Sequence, residues 1–303
     1  MDFRDAISYI RNKKDISQLA ISENIMTQSA YSKVENKNRD MSTALMTSLC
    51  RKLNAVPSDL DEILLKEQPY YQSVLDLAKV QTGLLPNKEA LKIYPILNEY
   101  KFHHSYAYRA YIICKKNFHS NFPNDIPDIT ENEKNKIYQN IVNSTYHTYY
   151  DILNMAECVR YFSSQELIRV SKSILPLTFE DAHTPNRLKI FSWPILLINI
   201  ADLIIDSNHF TETINILDNV DNLLKFNENY RFTILSQYAR LKVTLFTTKD
   251  EKTISHAHSE IQFLINLLAY PFDNKILKDA MQYEFDLIKK NNKPLNEIIT
   301  VLE

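Results

Sequence analysis

ISQLAISENIMTQSAYSKVEN, residues 16–36, decides how the rest of the chain is read. Ser17-Gln18 opens a short amphipathic helix with Ile21 on its inner side, and Ile25 and Met26 continue the apolar set. Thr27 is an N-cap residue, because its hydroxyl can accept an N–H that the next helix leaves unpaired. That helix runs through Gln28, Ser29, Ser32 and Lys33 to Glu35. Two short helices across a tight turn predict a helix-turn-helix. An outer face of Gln28, Ser29, Ser32 and Lys33 suits base edges and phosphates in a major groove. An ordinary capped hairpin has a polar outer face too, so the flanks matter.

Upstream, Phe3, Ile7 and Ile10 recur at helical spacing, with Arg11, Lys13 and Lys14 near the helix end. Downstream, Ser42 caps a helix carrying Leu45, Met46, Leu49 and Leu53, and Pro57-Ser58 starts another with Leu60, Ile63 and Leu64. Five short helices over residues 1–66 make a small domain of their own. This stretch resembles the Cro/repressor-type (XRE) DNA-binding domain. The resemblance rests on the Ile16-Ser17-Gln18 opening, Ser22 at the small-residue position, the run from Gln28 to Glu35, and Lys52 to Val56 (KLNAV). Ser22 to Ser32 (SENIMTQSAYS), followed by a long helical remainder, resembles the Rgg/PlcR group of peptide-pheromone-responsive regulators used in quorum sensing. Members of that superfamily usually place Gly after the Glu that ends the recognition helix, whereas Asn36-Lys37-Asn38 follows Glu35 here. Asn tolerates the left-handed conformation such a stop requires, so the expectation is that Asn takes the place of Gly.

The resemblance implies a sequence-specific regulator that binds a double-stranded DNA operator as a homodimer. Gln28, Ser29, Ser32 and Lys33 are then expected in the major groove, with Arg11, Gln18, Lys37 and Arg39 on phosphates. Charge agrees. Residues 1–58 hold nine Lys and Arg against six Asp and Glu, a net of +3. The whole chain is −2, so the remainder carries −5. A basic head on an acidic body confines nucleic-acid binding to the head.

A single glycine, Gly83, stands among 303 residues. Strand-rich folds need glycine for primed turns and bulges, and phosphate-binding loops need it for close backbone approach. A Walker loop and a dinucleotide fingerprint are therefore excluded, and an all-α chain is expected. No run of about 18 apolar residues exists and the N-terminus is polar, so neither a membrane span nor a signal peptide is expected. Cys50, Cys114 and Cys158 are odd in number and far apart, and read as reduced thiols of a cytoplasmic protein.

After residue 66 the chain reads as one amphipathic helix after another, with residues 119–132 (HSNFPNDIPDITEN) as a loop. Paired helices begin near 149, 187, 230 and 274, steps of 38, 43 and 44 residues. Such spacing predicts a TPR-like α-solenoid of helix hairpins over residues 67–303, without a TPR consensus, and a generic helical bundle is the alternative. A terminal segment at 295–302 closes the series.

The first helix of each hairpin lines the concave face of a solenoid, and several carry polar residues inside apolar stretches. Asn154 sits in YYDILNMAECV, Asn199 in WPILLINIADLII, and Gln237 in FTILSQYARL. A carboxamide donates and accepts at once, which suits the backbone of a bound peptide. A satisfied inter-helix hydrogen bond explains a single Asn equally well. The regulator resemblance favours a short linear peptide partner. Tyr150 and Tyr238 add rigid contact surface, and Arg240 could meet a carboxylate.

Catalytic patterns are weak. His103-His104 point to different helix faces, His256 and His258 diverge by about 200° on a helix, and no HExxH or GxSxG motif occurs. A non-enzyme without cofactors or metal is expected. Two further readings stay open: a ligand-independent regulator that uses the solenoid for dimerisation or docking, and a TPR-like interaction protein that no longer binds DNA.

Overall fold

A computed structural model describes residues 2–178, 187–226, 229–269 and 274–291. The fold is all-α, with no strand among the described residues. Helices α1 (Phe3–Lys13), α2 (Gln18–Ser22), α3 (Gln28–Glu35), α4 (Thr43–Lys52) and α5 (Pro57–Lys66) form the N-terminal five-helix set. Then come α6 (Tyr71–Gln81), α7 (Ala90–Tyr100), α8 (Ser105–Phe118), α9 (Glu131–Val142), α10 (Tyr149–Cys158) and α11 (Ser164–Ile174). The last five are α12 (Arg187–Ile205), α13 (Phe210–Leu224), α14 (Tyr230–Thr247), α15 (Glu251–Ala269) and α16 (Lys275–Asn291). The chain divides into two compact units, Met1–Tyr111 and Ile112–Glu303. The boundary expected at 66/67 falls at the end of α5, inside the first unit.

The N-terminal helices start where their caps stand. Ser17, Thr27 and Ser42 each accept the backbone N–H three residues on, at 3.1, 3.2 and 3.2 Å. In α5, Pro57 occupies the first turn and the Asp59 carboxylate accepts from Val56 N at 2.8 Å. Ala6, Ile7, Ile21, Tyr31, Leu49, Cys50, Leu53 and Leu60 make the core, and Ile10, Ile25, Met26, Leu45 and Ile63 pack around it. Phe3 keeps 40% of its surface exposed, because the buried stripe of α1 begins at Ala6 and Ile7.

Non-glycine residues take the left-handed conformation at five described positions, and Gly83 takes it with φ of 74°. Asp15, Asn24, Lys37, Asn54 and Asn208 have φ of 53°, 61°, 62°, 48° and 61°. Asn24 supplies the turn between α2 and α3 that glycine would otherwise make.

In the second unit, capping boxes mark successive starts: Thr130 with Glu133 for α9, Thr148 with Asp151 for α10, and Ser163 with Glu166 for α11. Helix α9 therefore opens two residues before the expected start at Glu133. The loop expected over 119–132 spans residues 119–130, anchored by fully buried Ile126, whose carbonyl lies 2.8 Å from His119 Nδ1. Helix α12 packs on both α10 and α14, and α13, α14, α15 and α16 pack in sequence. That is the arrangement of a solenoid, in which each hairpin touches the next. Tyr270 and the segment 295–302 lie outside the described residues.

Candidate functional sites

Helix α3 buries Tyr31 and Val34 and turns Gln28, Ser29 and Lys33 outward, with Ser32 half-buried beside them. Lys33 has no ion pair among the described residues. The helix stops in a Schellman motif: Lys37 N donates to Val34 O at 3.1 Å and Asn38 N to Lys33 O at 2.8 Å. The left-handed residue is Lys37, not Asn36 as expected. Asn36 keeps φ at −84° and closes the last turn, so the reversal falls one residue later. Lys37 Nζ then reaches Asp5 at 2.8 Å, which ties this stop to the first turn of α1. Arg39 is exposed just beyond.

Glu35 gathers the remaining polar groups. It accepts from Ser8 Oγ at 2.6 Å, from Arg11 Nε and Nη2 at 3.0 and 2.7 Å, and from Gln18 Nε2. Arg11 also donates to Ile16 O at 2.8 Å. Burial works to raise the Glu35 carboxyl, but the bonds from Ser8, Arg11 and Gln18 outweigh it and hold it below its ordinary value. Arg11 and Gln18, expected at phosphates, therefore point inward onto the end of α3. Glu35 was not singled out from the sequence. Its signal is an acid on the inner edge of α3 with a basic and an amide residue on the two preceding helices.

In the second unit Asn154 and Asn199 stand on α10 and α12, which pack together. Asn199 is 1% exposed, and neither its Oδ1 nor its Nδ2 has a hydrogen-bond partner among the described residues. Asn154 is buried with its Oδ1 likewise unpartnered. Leaving a buried polar atom unpaired costs about 1–3 kcal/mol, and these carboxamides carry that cost within the fold. Tyr150 is half-buried, its ring 5.2 Å from that of Tyr149. Gln237 is exposed, while Ser236 and Tyr238 on either side of it are buried. Arg240, expected near a ligand carboxylate, already holds Asp218 at 2.7 Å and Asp221 at 2.7 and 3.0 Å.

A buried ionic hub, absent from the sequence-based expectations, lies on the same set of helices. Lys242 of α14 is 2% exposed, and its Nζ bonds Asp202 of α12 and Glu284 of α16, each at 2.6 Å. Tyr238 donates to the second oxygen of Glu284 at 2.8 Å. Burial opposes the charge on Lys242, but Asp202 and Glu284 outweigh it and hold the ammonium charged. The hub joins three helices through one side chain, and it leaves Tyr238 engaged within the fold.

The three cysteines are buried free thiols, and no group of metal-ligating residues occurs among the described residues. No described helix is long and apolar enough to cross a membrane.

No family model and no curated protein matches this sequence. Solved structures do match. The chain is similar to the SHP pheromone receptor Rgg2 of Streptococcus dysgalactiae, with TM-score 0.72 and 15% identity over 94% of this chain and 99% of that one. A PrgX/cCF10 complex matches with TM-score 0.67 and 14% identity, covering 98% of this chain and 95% of that one. A bacterial peptide pheromone/receptor complex matches with TM-score 0.65 and 15% identity, covering 95% and 98%. Together with the all-helical order described above, these likenesses place the chain in the fold of the Rgg2 and PrgX receptors.

Proposed function

We propose that the chain is a homodimeric, sequence-specific DNA-binding transcription regulator that senses a short linear peptide. Residues 1–66 bind a double-stranded operator, and residues 67–303 form the repeat domain for dimerisation and peptide binding. Gln28, Ser29, Ser32 and Lys33 enter the major groove, Lys37 and Arg39 contact phosphates, and Arg11 and Gln18 act through Glu35 by holding α3 at its angle. Asn154 and Asn199 hold the peptide backbone, with Tyr150 and Gln237 beside them. Peptide binding shifts the population between two arrangements that differ in operator affinity.

The observation that carries this reading is a buried carboxamide, Asn199, with both amide atoms unpaired, on a chain whose outward α3 face is polar and basic. The solved structures of like fold add support, being named as pheromone receptors and as a pheromone/receptor complex in gene regulation. Tyr238 and Arg240, already partnered, favour instead the reading of a regulator with no ligand. Mobility shifts on the gene's own upstream DNA, repeated with short synthetic peptides encoded nearby, test both readings. A shift that no peptide alters, with no peptide raising the melting temperature, selects the ligand-independent regulator. No shift at all rejects the regulator.

A further inference from the structure

We propose that Asp206 anchors a positive charge on the bound ligand, the free amino terminus or a Lys or Arg side chain of a short peptide. This rests on the peptide-binding reading above and specifies the ligand's chemistry.

Asp206 closes the C-terminal end of α12, directly after Ile205. Asn199, Asp202 and Asp206 follow each other at spacings of three and four residues, so they share one side of that helix. Asn199 carries the two unpaired amide atoms, and Asp202 is bound to Lys242. Asp206 makes no hydrogen bond or ion pair with any described residue, and its Oδ1 is buried. Its residue is half-buried, so this end of the hub reaches the surface while Lys242 and Glu284 are closed off.

The charges around it leave a place for a cation. Asp206 faces Asp202 on its own helix, Lys242 on α14 and Glu284 on α16, and Asp202 in turn feels Arg160 beyond the end of α10. Lys242 bonds Asp202 and Glu284 but not Asp206, so Asp206 is the carboxylate of this group with no cation bonded to it. Burial, with Asp202 and Glu284 adding to it, pushes Asp206 up to about 7 against the pull of Lys242. The last carbonyls of a 19-residue helix add partial negative charge at the same spot. Each effect disfavours a bare carboxylate there and favours one paired with a cation. An ammonium placed on Asp206 would bring its own N–H donors to the unpaired oxygen.

The test uses the full chain, wild type and Asp206→Asn, with a random heptapeptide library bearing free amino termini. Bound peptides are identified by mass spectrometry, then remade N-acetylated and with each Lys or Arg changed to Met. Wild-type binders should weaken at least about tenfold when the positive charge is removed. The D206N protein should bind charged and uncharged forms alike. Affinity of the charged form should also rise between pH 6 and 7.5 in wild type only, as Asp206 ionises. D206N removes no bond and relieves a disfavoured carboxylate, so it should melt at or above the wild-type temperature; Asp206→Ser replaces it if it does not fold. Binders indifferent to charge, or a charge preference that survives in D206N, overturn this inference and leave the peptide reading standing. An absence of any wild-type binder overturns both.

Discussion

Arg11 donates to one oxygen of Glu35 twice, through Nε at 3.0 Å and Nη2 at 2.7 Å, so α3 is fastened to α1 by a nearly dry ion pair. The two side chains are 12% and 9% exposed. Breaking a buried pair by removing one partner strands the other, so Arg11→Met should lower unfolding free energy by about 3 kcal/mol in urea titrations. Adding Glu35→Met to that variant should restore most of the loss. A double variant no more stable than the single one would show that the pair is not what the first substitution damaged.

Glu35 also sets an acid limit. Its folded pKa lies below the unfolded value of 4.5, so its contribution is complete above that pH and is lost as pH falls through the folded value. Wild type should therefore lose stability on acidification below about pH 4.5 more steeply than Arg11→Met/Glu35→Met. Parallel curves would remove Glu35 as the cause.

Lys33→Ala with Arg39→Ala should abolish operator binding while circular dichroism and the dimer remain unchanged. Arg39→Ala alone removes one phosphate neutralisation and should flatten the dependence of log affinity on log salt by about one. Unchanged affinity at fixed salt would mean that α3 does not dock as proposed.

Asn54 closes α4 with φ of 48° and with Ala55 N bonded to Cys50 O at 2.9 Å. Alanine in that conformation brings Cβ against a carbonyl oxygen, so Asn54→Ala should destabilise by about 1 kcal/mol and Asn54→Gly should not. Equal melting temperatures for the two variants would contradict the left-handed assignment.

Much of the fold was legible in the sequence because helix starts announce themselves locally. Ser17, Thr27, Ser42, Thr148 and Ser163 are cap residues whose partners lie within the next turn. The polar residues at Asn154 and Asn199 stood out for the same reason, as interruptions of apolar stretches. The Glu35 and Lys242 networks were hidden. Each joins residues far apart in the chain, such as Lys242 with Asp202 and Glu284, and an isolated Lys or Glu on a helix reads as a solvated charge until its neighbours are known. Lys37 was missed because a left-handed lysine is set by the Schellman geometry rather than by its own preference.

Lys242→Met should be severe, since it leaves Asp202 and Glu284 facing each other without a cation. The loss at neutral pH should be about 3–5 kcal/mol. In the variant the Glu284 carboxyl, already pushed up by burial, loses the cation that opposed that rise, so part of the stability should return as pH falls and it becomes protonated. Thermal melts across pH 5 to 8 measure this, and a variant that weakens further on mild acidification would rule the hub out.

Asn199 separates a ligand site from a structural one. Leucine shares the branched four-heavy-atom side chain of asparagine, is somewhat bulkier and carries no amide, so Asn199→Leu removes two unpaired buried polar atoms and adds apolar contact. If those atoms await a ligand, the free protein should become more stable by about 1 kcal/mol, raising its melting temperature by a few degrees. The same variant should lose the response to peptide. A structural asparagine behaves oppositely, because replacing it strands whatever it bonds and lowers the melting temperature. The sign of one melting shift therefore decides whether α12 holds its carboxamide for the fold or for a partner.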